Sequence, residues 1–276
     1  MNRPILWLEA PRVSSPRASR SASFACTLSR ATAQPHSAAA FTRTVTKLNL
    51  WFIYAIARRR QLLVFDRFLA RVVDVLGDSV TLKGGLVVEL RVERARTTKD
   101  IDLRLAGPPA DLIGRLRQAV ELDLGDFMQF TIELDAKHPE ITNEGMAYEG
   151  QRYRVTCALA GKPYGQPFGL DIAFADPILG EPDIAVAEDL LGFAGIAPPT
   201  LRLYPLETPI AEKLHAFTLP RERPNSCVKD LPDIALLAGV REVEARYLRR
   251  ALEQTFTSRS THPLPNLLVL GARAAL

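Results

Sequence analysis

The chain has 276 residues, of which 47% are hydrophobic and 24% are charged. This balance is typical of a globular protein and argues against a disordered or fibrous one. The net charge of +4 is unevenly spread, because the first 65 residues hold ten basic side chains and a single acid, Glu9. The rest of the chain is therefore acidic, so the overall basicity is no evidence for nucleic-acid binding.

Cysteine content and hydropathy argue against a cysteine-based scaffold and against a membrane-spanning protein. Cys26, Cys157 and Cys227 are far apart and form no CxxC pair, which argues against a zinc ribbon or a disulfide scaffold and favours a reducing compartment. The longest apolar run, residues 48–57, has ten residues, whereas a membrane-spanning helix needs roughly 20. We therefore predict a protein of a reducing compartment, without a membrane segment.

Composition also predicts the division of the chain. Residues 1–45 are rich in Ser, Ala and Arg, and this composition predicts a disordered extension, with an organelle transit peptide as the alternative. Residues 46–205 are expected to form the core. Residues 206–276 are expected to form a helical C-terminal region that looks truncated.

The first half of the core begins with an apolar stripe of helical period. Residues 61–76 predict an amphipathic helix, residues 80–83 a short buried strand, and residues 86–94 a second helix after Gly84 and Gly85. Residues 100–105 alternate strictly. Period-2 alternation predicts a half-buried strand with its acids on the polar face.

The remaining elements follow from the same patterns. We predict a helix over 108–122 and strands over 127–134, 153–160, 168–174 and 200–204. Further helices are predicted after residue 207, over 231–238 and over 243–255. Thr208 is the expected N-cap of the first, with Pro209 at its first helical position.

The segment with the clearest chemistry joins a glycine pair to a pair of acids. Gly84 and Gly85 end a strand, where backbone N–H groups can approach a phosphate without obstruction by a Cβ. Asp100 and Asp102 then project from one strand face, and Asp171 occupies the polar face of a later strand. Three carboxylates on neighbouring strands can hold Mg²⁺ for phosphoryl transfer.

Four motifs occur in order along the chain: Leu82-Lys83-Gly84-Gly85, Arg96-x-Thr98-x-Asp100-Ile101-Asp102, Glu212-Lys213-Leu214-His215-Ala216 and Lys229-Asp230-Leu231-x-Asp233-Ile234. The series resembles the AbiEii/AbiGii nucleotidyltransferase toxin family. That family includes the MenT toxins and belongs to the DNA polymerase beta-like superfamily. The resemblance covers roughly residues 60–255. It implies an α+β fold, a small mixed β-sheet nucleotidyltransferase core with flanking helices.

The resemblance also implies an activity and its partners. It implies a Mg²⁺-dependent enzyme that moves a nucleoside monophosphate from an NTP to an acceptor, which in toxin members can be the tRNA 3′ end. A separately encoded antitoxin would be a further partner. One departure is Leu86, where many members have Thr after the two glycines.

The family's functional positions map onto individual residues of this chain. By position, Gly84, Gly85 and Arg96 would hold the triphosphate, and Lys213 would contact the phosphates and take part in catalysis. Asp100 and Asp102 would be catalytic and ligate Mg²⁺, with Asp171 as the third metal ligand, and Asp230 would assist catalysis. All eight assignments are expectations from the resemblance.

Several alternatives remain open at this stage. The acceptor could be a small molecule or a protein side chain, or the chain could be an inactive binding module of the same fold. Lys213 could be an ordinary surface lysine, Asp230 an N-cap, and the run Arg58-Arg59-Arg60 either a solvated stretch or an RNA-facing one.

Overall fold

The structure is a computed structural model that describes residues 38–92, 97–107, 111–137, 139–140, 150–174, 176–220 and 226–265, without the side chains of 38–52 and 226–227. Most of the predicted N-terminal extension, residues 1–45, lies outside the described residues. Within the described part of the chain, no helix is long and apolar enough to cross a membrane.

The described residues form six α-helices and eight β-strands. The helices are α1 Ala38–Leu76, α2 Gly84–Arg91, α3 Leu112–Glu121, α4 Glu207–Thr218, α5 Asp230–Ala238 and α6 Ala245–Arg259. The strands are β1 Val80–Lys83, β2 Ile101–Leu105, β3 Met128–Leu134, β4 Gly150–Leu159, β5 Lys162–Pro163, β6 Phe168–Phe174, β7 Asp183–Val186 and β8 Thr200–Leu203. Sequence patterns predicted a helix at each of these six places, but α1 begins at Ala38, 23 residues before the predicted residue 61, and β5 and β7 were not predicted.

The strands form one mixed sheet in the order β3-β4-β6-β2-β1-β8-β7, with β5 paired to β4. The pairs β2–β6 and β1–β8 are parallel, and the other pairs are antiparallel. The predicted α+β fold with a mixed sheet is therefore confirmed. The acid-bearing strands β2 and β6 are neighbours near the middle of the sheet.

Helix α1 supplies much of the core that packs on this sheet. Its predicted apolar stripe is buried, with Val64, Phe68 and Val72 all fully inaccessible. Phe168 of β6 meets the rings of Phe65 and Phe68 edge to face, with centroids 5.0 and 5.3 Å away. Edge-to-face rings in a close-packed core fix the helix position on the sheet.

A second, smaller apolar cluster joins the C-terminal helices to the core. Val88 of α2 packs in one buried group with Leu206, Ile210 of α4 and Leu237 of α5. Because α2 starts at the glycine pair, this cluster brings α4 and α5 to the same end of the sheet as that turn.

The predicted cap of α4 is wrong. The helix begins at Glu207, so Thr208 is already its second residue, and the cap position belongs to Leu206 in a helical conformation. An N-cap side chain needs an extended backbone to reach the free N–H groups. Thr208 Oγ1 is instead buried without a hydrogen-bond partner.

A cluster of buried, charged side chains connects α1 to the loop before β3. Arg71 is fully buried and donates to both carboxylate oxygens of Asp126, at 2.8 and 2.7 Å. Arg67 donates to the same carboxylate at 2.9 Å. Burial alone would raise the pKa of Asp126, but the hydrogen bonds from Arg71 and Arg67 outweigh it and lower the pKa to about 2.

This cluster gives a stability prediction. Asp126→Asn should lower the free energy of unfolding at pH 7 by about 3 kcal/mol, because two buried guanidinium groups lose their counter-charge. The pKa of Asp126 is lowered on folding, so its contribution is present above its ordinary pKa of 3.8 and disappears as the pH falls towards 2. Urea unfolding at pH 7 and pH 3 measures both effects.

The matched control is Asp74→Asn, an exposed acid on the same helix, which should change the unfolding free energy by about 0.5 kcal/mol or less. Equal losses for the two variants at pH 7 would show that the buried cluster contributes no special stability.

Candidate active site

The turn between β1 and α2 is shaped by contact with the acid-bearing segment. Gly84 has φ +71°, and a Cβ added there would lie 2.0 Å from Asp102 Oδ2. A Cβ on Gly85 would lie 2.9 Å from Thr98 Oγ1. Both glycines are therefore needed to let the start of α2 close on the segment that carries the acids.

Four charged residues form a row across four neighbouring strands. Lys83 of β1 pairs with Asp102 of β2, Asp102 with Asp171 of β6, and Asp171 with Arg152 of β4. Paired residues of a sheet point to the same face. The predicted alternation in β2 is confirmed, since Ile101, Leu103 and Leu105 are buried on the opposite face.

Asp102 lies between Lys83 and Asp171 in this row. Burial, followed by the charge of Asp171, raises the pKa of Asp102 to about 6; Lys83 partly opposes the rise and Asp100 adds to it. Asp100 itself is exposed just before β2, where its Oδ1 accepts the backbone N–H of Gly169 at 3.0 Å. Mutual repulsion between Asp100 and Asp102 at this end of the sheet favours a bound cation.

Asp171 has a different environment, because Arg152 occupies both of its oxygens. Arg152 Nε and Nη2 each donate to this carboxylate at 2.6 Å, and the hydrogen bond to Asp171 raises the pKa of Arg152. Among the described residues, no three His, Cys, Asp or Glu side chains are gathered as a metal site.

The donor set nevertheless fits Mg²⁺ in its usual protein environment. Mg²⁺ keeps several waters and binds through one or two carboxylates together with substrate phosphates. Asp100 and Asp102 supply the two carboxylates, and Gly84 leaves the Asp102 carboxylate uncovered by a side chain. Lys83 precedes α2 without a side-chain capping bond, so the N-terminus of α2 can receive a phosphate.

Lys83 is a site residue to which no role was assigned from the sequence. Its ammonium group is largely buried, donates to Asp176 and lies 3.5 Å from Glu212 Oε1. The same Asp176 carboxylate accepts the Tyr204 hydroxyl at 2.9 Å. Lys83 and Glu212 lie inside the motifs quoted above, so the motifs could have identified them as site residues. Asp176 lies in no motif, and no sequence pattern indicated its role.

On the C-terminal side, the structure brings Lys213 and Asp230 together. Lys213 Nζ donates to Asp230 at 3.1 Å and to Asp233 at 2.7 Å, and the Lys213 side chain is only 11% exposed. Lys213 is therefore not a solvated lysine, although its pairing with neighbouring acids agrees with the structural alternative. Asp230 is the first residue of α5, after Lys229 at the cap position, so the N-cap alternative is wrong.

Most of the predicted site thus gathers at one end of the sheet. Gly84, Gly85 and the acids of β2 and β6 are in direct contact or in neighbouring register. Glu212, the residue before Lys213, reaches Lys83 next to Gly84. Arg96, predicted to bind the triphosphate, lies outside the described residues.

In this α+β fold, a glycine turn lies against strand carboxylates, and a lysine-bearing helix lies beside them. This arrangement is the one expected of a nucleotidyltransferase. Comparison with known families gives the specific assignment. Residues 67–275 match the family described as nucleotidyl transferase AbiEii toxin, type IV toxin–antitoxin system. The chain belongs to this family and is a nucleotidyltransferase.

Solved structures with distant similarity were also found. JHP933 from Helicobacter pylori is 20% identical, with a TM-score of 0.44 over 73% of this chain and 78% of that one. MenT4, a nucleotidyltransferase toxin from Mycobacterium tuberculosis, is 12% identical, with a TM-score of 0.43 over 75% of this chain and 97% of that one. A search of the curated proteins found no match.

The burial of Asp102 and its closeness to Asp171 give a second prediction. Asp102→Asn should raise the melting temperature of the metal-free protein at pH 7.5 by about 5 °C, because it removes a carboxylate whose ionisation the fold opposes. The pKa of Asp102 is raised on folding from 3.8 to about 6, so the destabilisation is small near pH 4, grows between pH 4 and pH 6 and is complete at pH 7.5. Thermal unfolding in EDTA at both pH values measures it.

Asp74→Asn serves as the exposed control and should leave the melting temperature unchanged at both pH values. A lower melting temperature for Asp102→Asn at pH 7.5 would mean that its carboxylate stabilises the metal-free fold.

Proposed function

We propose that this chain is a Mg²⁺-dependent nucleotidyltransferase that transfers a nucleoside monophosphate from an NTP to the 3′ end of tRNA, as the toxin of a toxin–antitoxin pair. The main support is the contact between Gly84 and the Asp102 carboxylate. This contact supports a site in which the N-terminus of α2 would bind phosphate and the neighbouring Asp102 would bind the metal.

The predicted residues have roles in this proposal, except Asp171, whose carboxylate is bound by Arg152. Asp100 and Asp102 hold Mg²⁺, which when bound neutralises the developing phosphate charge and favours an ionised acceptor hydroxyl. The backbone N–H groups at Gly84 and Gly85 orient the triphosphate for in-line attack on the α-phosphate, with pyrophosphate leaving. We also keep Arg96 as a triphosphate contact, from its place in the motif.

The C-terminal side supplies the second set of groups. Lys213 is proposed to contact the phosphates, since an ammonium group is a compact point charge suited to them. It is held by Asp230 and Asp233, so nucleotide binding would exchange part of this pairing for phosphate. Asp230 would then be released to orient the acceptor hydroxyl.

The proposed partner protein and cellular location follow from the family, and the mode of RNA contact follows from the charge distribution. A separately encoded antitoxin and a cytoplasmic location belong to this proposal. So does the division into a catalytic core at 46–205 and a helical region at 206–276. Because the chain after residue 65 is acidic, contact with RNA must depend on local basic residues and not on the overall field.

The direct test is transfer of label from an α-³²P NTP to total tRNA. Asp100→Asn and Asp102→Asn should each slow labelling about a thousandfold, because loss of a metal ligand costs several kcal/mol of transition-state stabilisation. All four NTPs are tried separately, with Mg²⁺ and with EDTA.

Asp74→Asn, which changes one exposed acid in the same way, should label tRNA at the wild-type rate. Equal labelling by wild type and Asp102→Asn would contradict the site. Labelling of small molecules or proteins in place of tRNA would keep the chemistry and replace the acceptor.

Lys213 gives a separate prediction, because pairing and phosphate binding respond differently to substitution. Lys213→Arg retains a cation between the two acids and should keep the melting temperature within about 2 °C. It should still reduce labelling about tenfold, since a guanidinium does not reproduce the ammonium geometry. Wild-type labelling by Lys213→Arg would restrict Lys213 to a structural role.

A further inference from the structure

The segment that leads into the two acids is tied down by a buried glutamate. Glu89 of α2 is 5% exposed, and its Oε2 accepts the backbone N–H of Thr98 at 2.8 Å. The Thr98 side chain fills the space against Gly85, and its hydroxyl donates to the carbonyl of Asp100 at 3.2 Å. The start of β2 is therefore held from the same short helix that begins at the glycine turn.

The charge of Glu89 is matched from helix α1. Arg58 Nε donates to Glu89 Oε1 at 2.9 Å, while the Glu89 side chain is 1% exposed. The interpretation of Arg58 as part of a solvated run is therefore wrong. A buried carboxylate is tolerated only when it is paired and hydrogen-bonded, so loss of Arg58 would leave Glu89 unable to hold Thr98 as an ionised group.

Helix α1 touches the same segment at a second point. Tyr54 lies one helical turn before Arg58, on the same face, and its hydroxyl is hydrogen-bonded to Thr97 Oγ1 at 2.9 Å. Both α1 residues precede residue 67, where the family match begins. Contacts from outside the matched region therefore reach a segment two residues from Asp100.

We propose that Glu89, held by Arg58 of α1, is a positioning residue that sets Asp100 and Asp102 for metal binding. The part of α1 before the family match would then be required for full metal affinity. This inference rests on the proposed metal site. Glu89 acts through the Thr98 backbone and does not touch the substrate.

The experiment compares two adjacent arginines that carry the same charge. Arg58→Met removes the partner of Glu89, whereas Arg59→Met removes an exposed neighbour. Mn²⁺ binding to the full-length protein is followed by electron paramagnetic resonance, and exchange of the Thr98 amide by hydrogen–deuterium exchange. Arg58→Met should weaken Mn²⁺ binding about tenfold, as is usual for groups that orient metal ligands.

The same variant should speed Thr98 amide exchange about tenfold while Arg59→Met matches wild type in both measurements. In the double variant Arg58→Met/Glu89→Gln, the neutral amide can still accept the Thr98 N–H without a buried charge. Its Mn²⁺ affinity should therefore recover to within about threefold of wild type.

The outcomes separate the two proposals. If wild type binds no Mn²⁺, the proposed metal site fails, and the positioning role fails with it. If wild type binds Mn²⁺ and the Arg58→Met and Arg59→Met variants bind it equally well, the metal site stands and the positioning role is wrong. A melting temperature equal to wild type for Arg58→Met shows that any loss of affinity is local.

Discussion

The arrangement of the site depends on the close contact between Gly84 and the carboxylate of Asp102. A side chain at position 84 would place its Cβ 2.0 Å from Asp102 Oδ2, so the glycine turn and the acid can occupy this end of the sheet only together. The positive φ of Gly84, +71°, lets α2 start directly after β1. A helix N-terminus and the acid proposed to bind the metal are thereby brought together, with no loop between β1 and α2.

Strand pairing extends this contact into a row of four charged residues. Two acids, Asp102 and Asp171, lie between Lys83 and Arg152 because β1, β2, β6 and β4 are neighbours in register. Each cation belongs to a different acid: Arg152 binds Asp171 in a bidentate pair, and Lys83 is held by Asp176. Among the described residues, Asp102 is left without such a pair, and burial together with the charge of Asp171 raises its pKa to about 6.

Features with a local signal could be predicted from the sequence, and features set by distant pairing could not. The alternation of β2 and the apolar stripe of α1 are periodic patterns, so they identified the acid face and the core helix. Arg152 and Glu89 carried no such pattern, because their partners depend on the register of β4 with β6 and on the packing of α1 against α2. The wrong cap at Thr208 also reflects distant packing. Leu206 is buried and takes the cap position, so α4 begins at Glu207, one residue before the cap that local propensity would choose.

The C-terminal helices reach the glycine turn through adjacent residues of α4. Glu212 lies 3.5 Å from Lys83 and accepts Arg259 of α6 at 2.9 Å, while Lys213 faces the two acids of α5. Successive residues of a helix differ in direction by about 100°, so this dipeptide contacts β1 and α6 on one side and α5 on another. A change in the charge around Lys213 on nucleotide binding would therefore be felt next to Lys83, one residue from Gly84. In the proposed site, this coupling would connect motifs that lie more than a hundred residues apart in the chain.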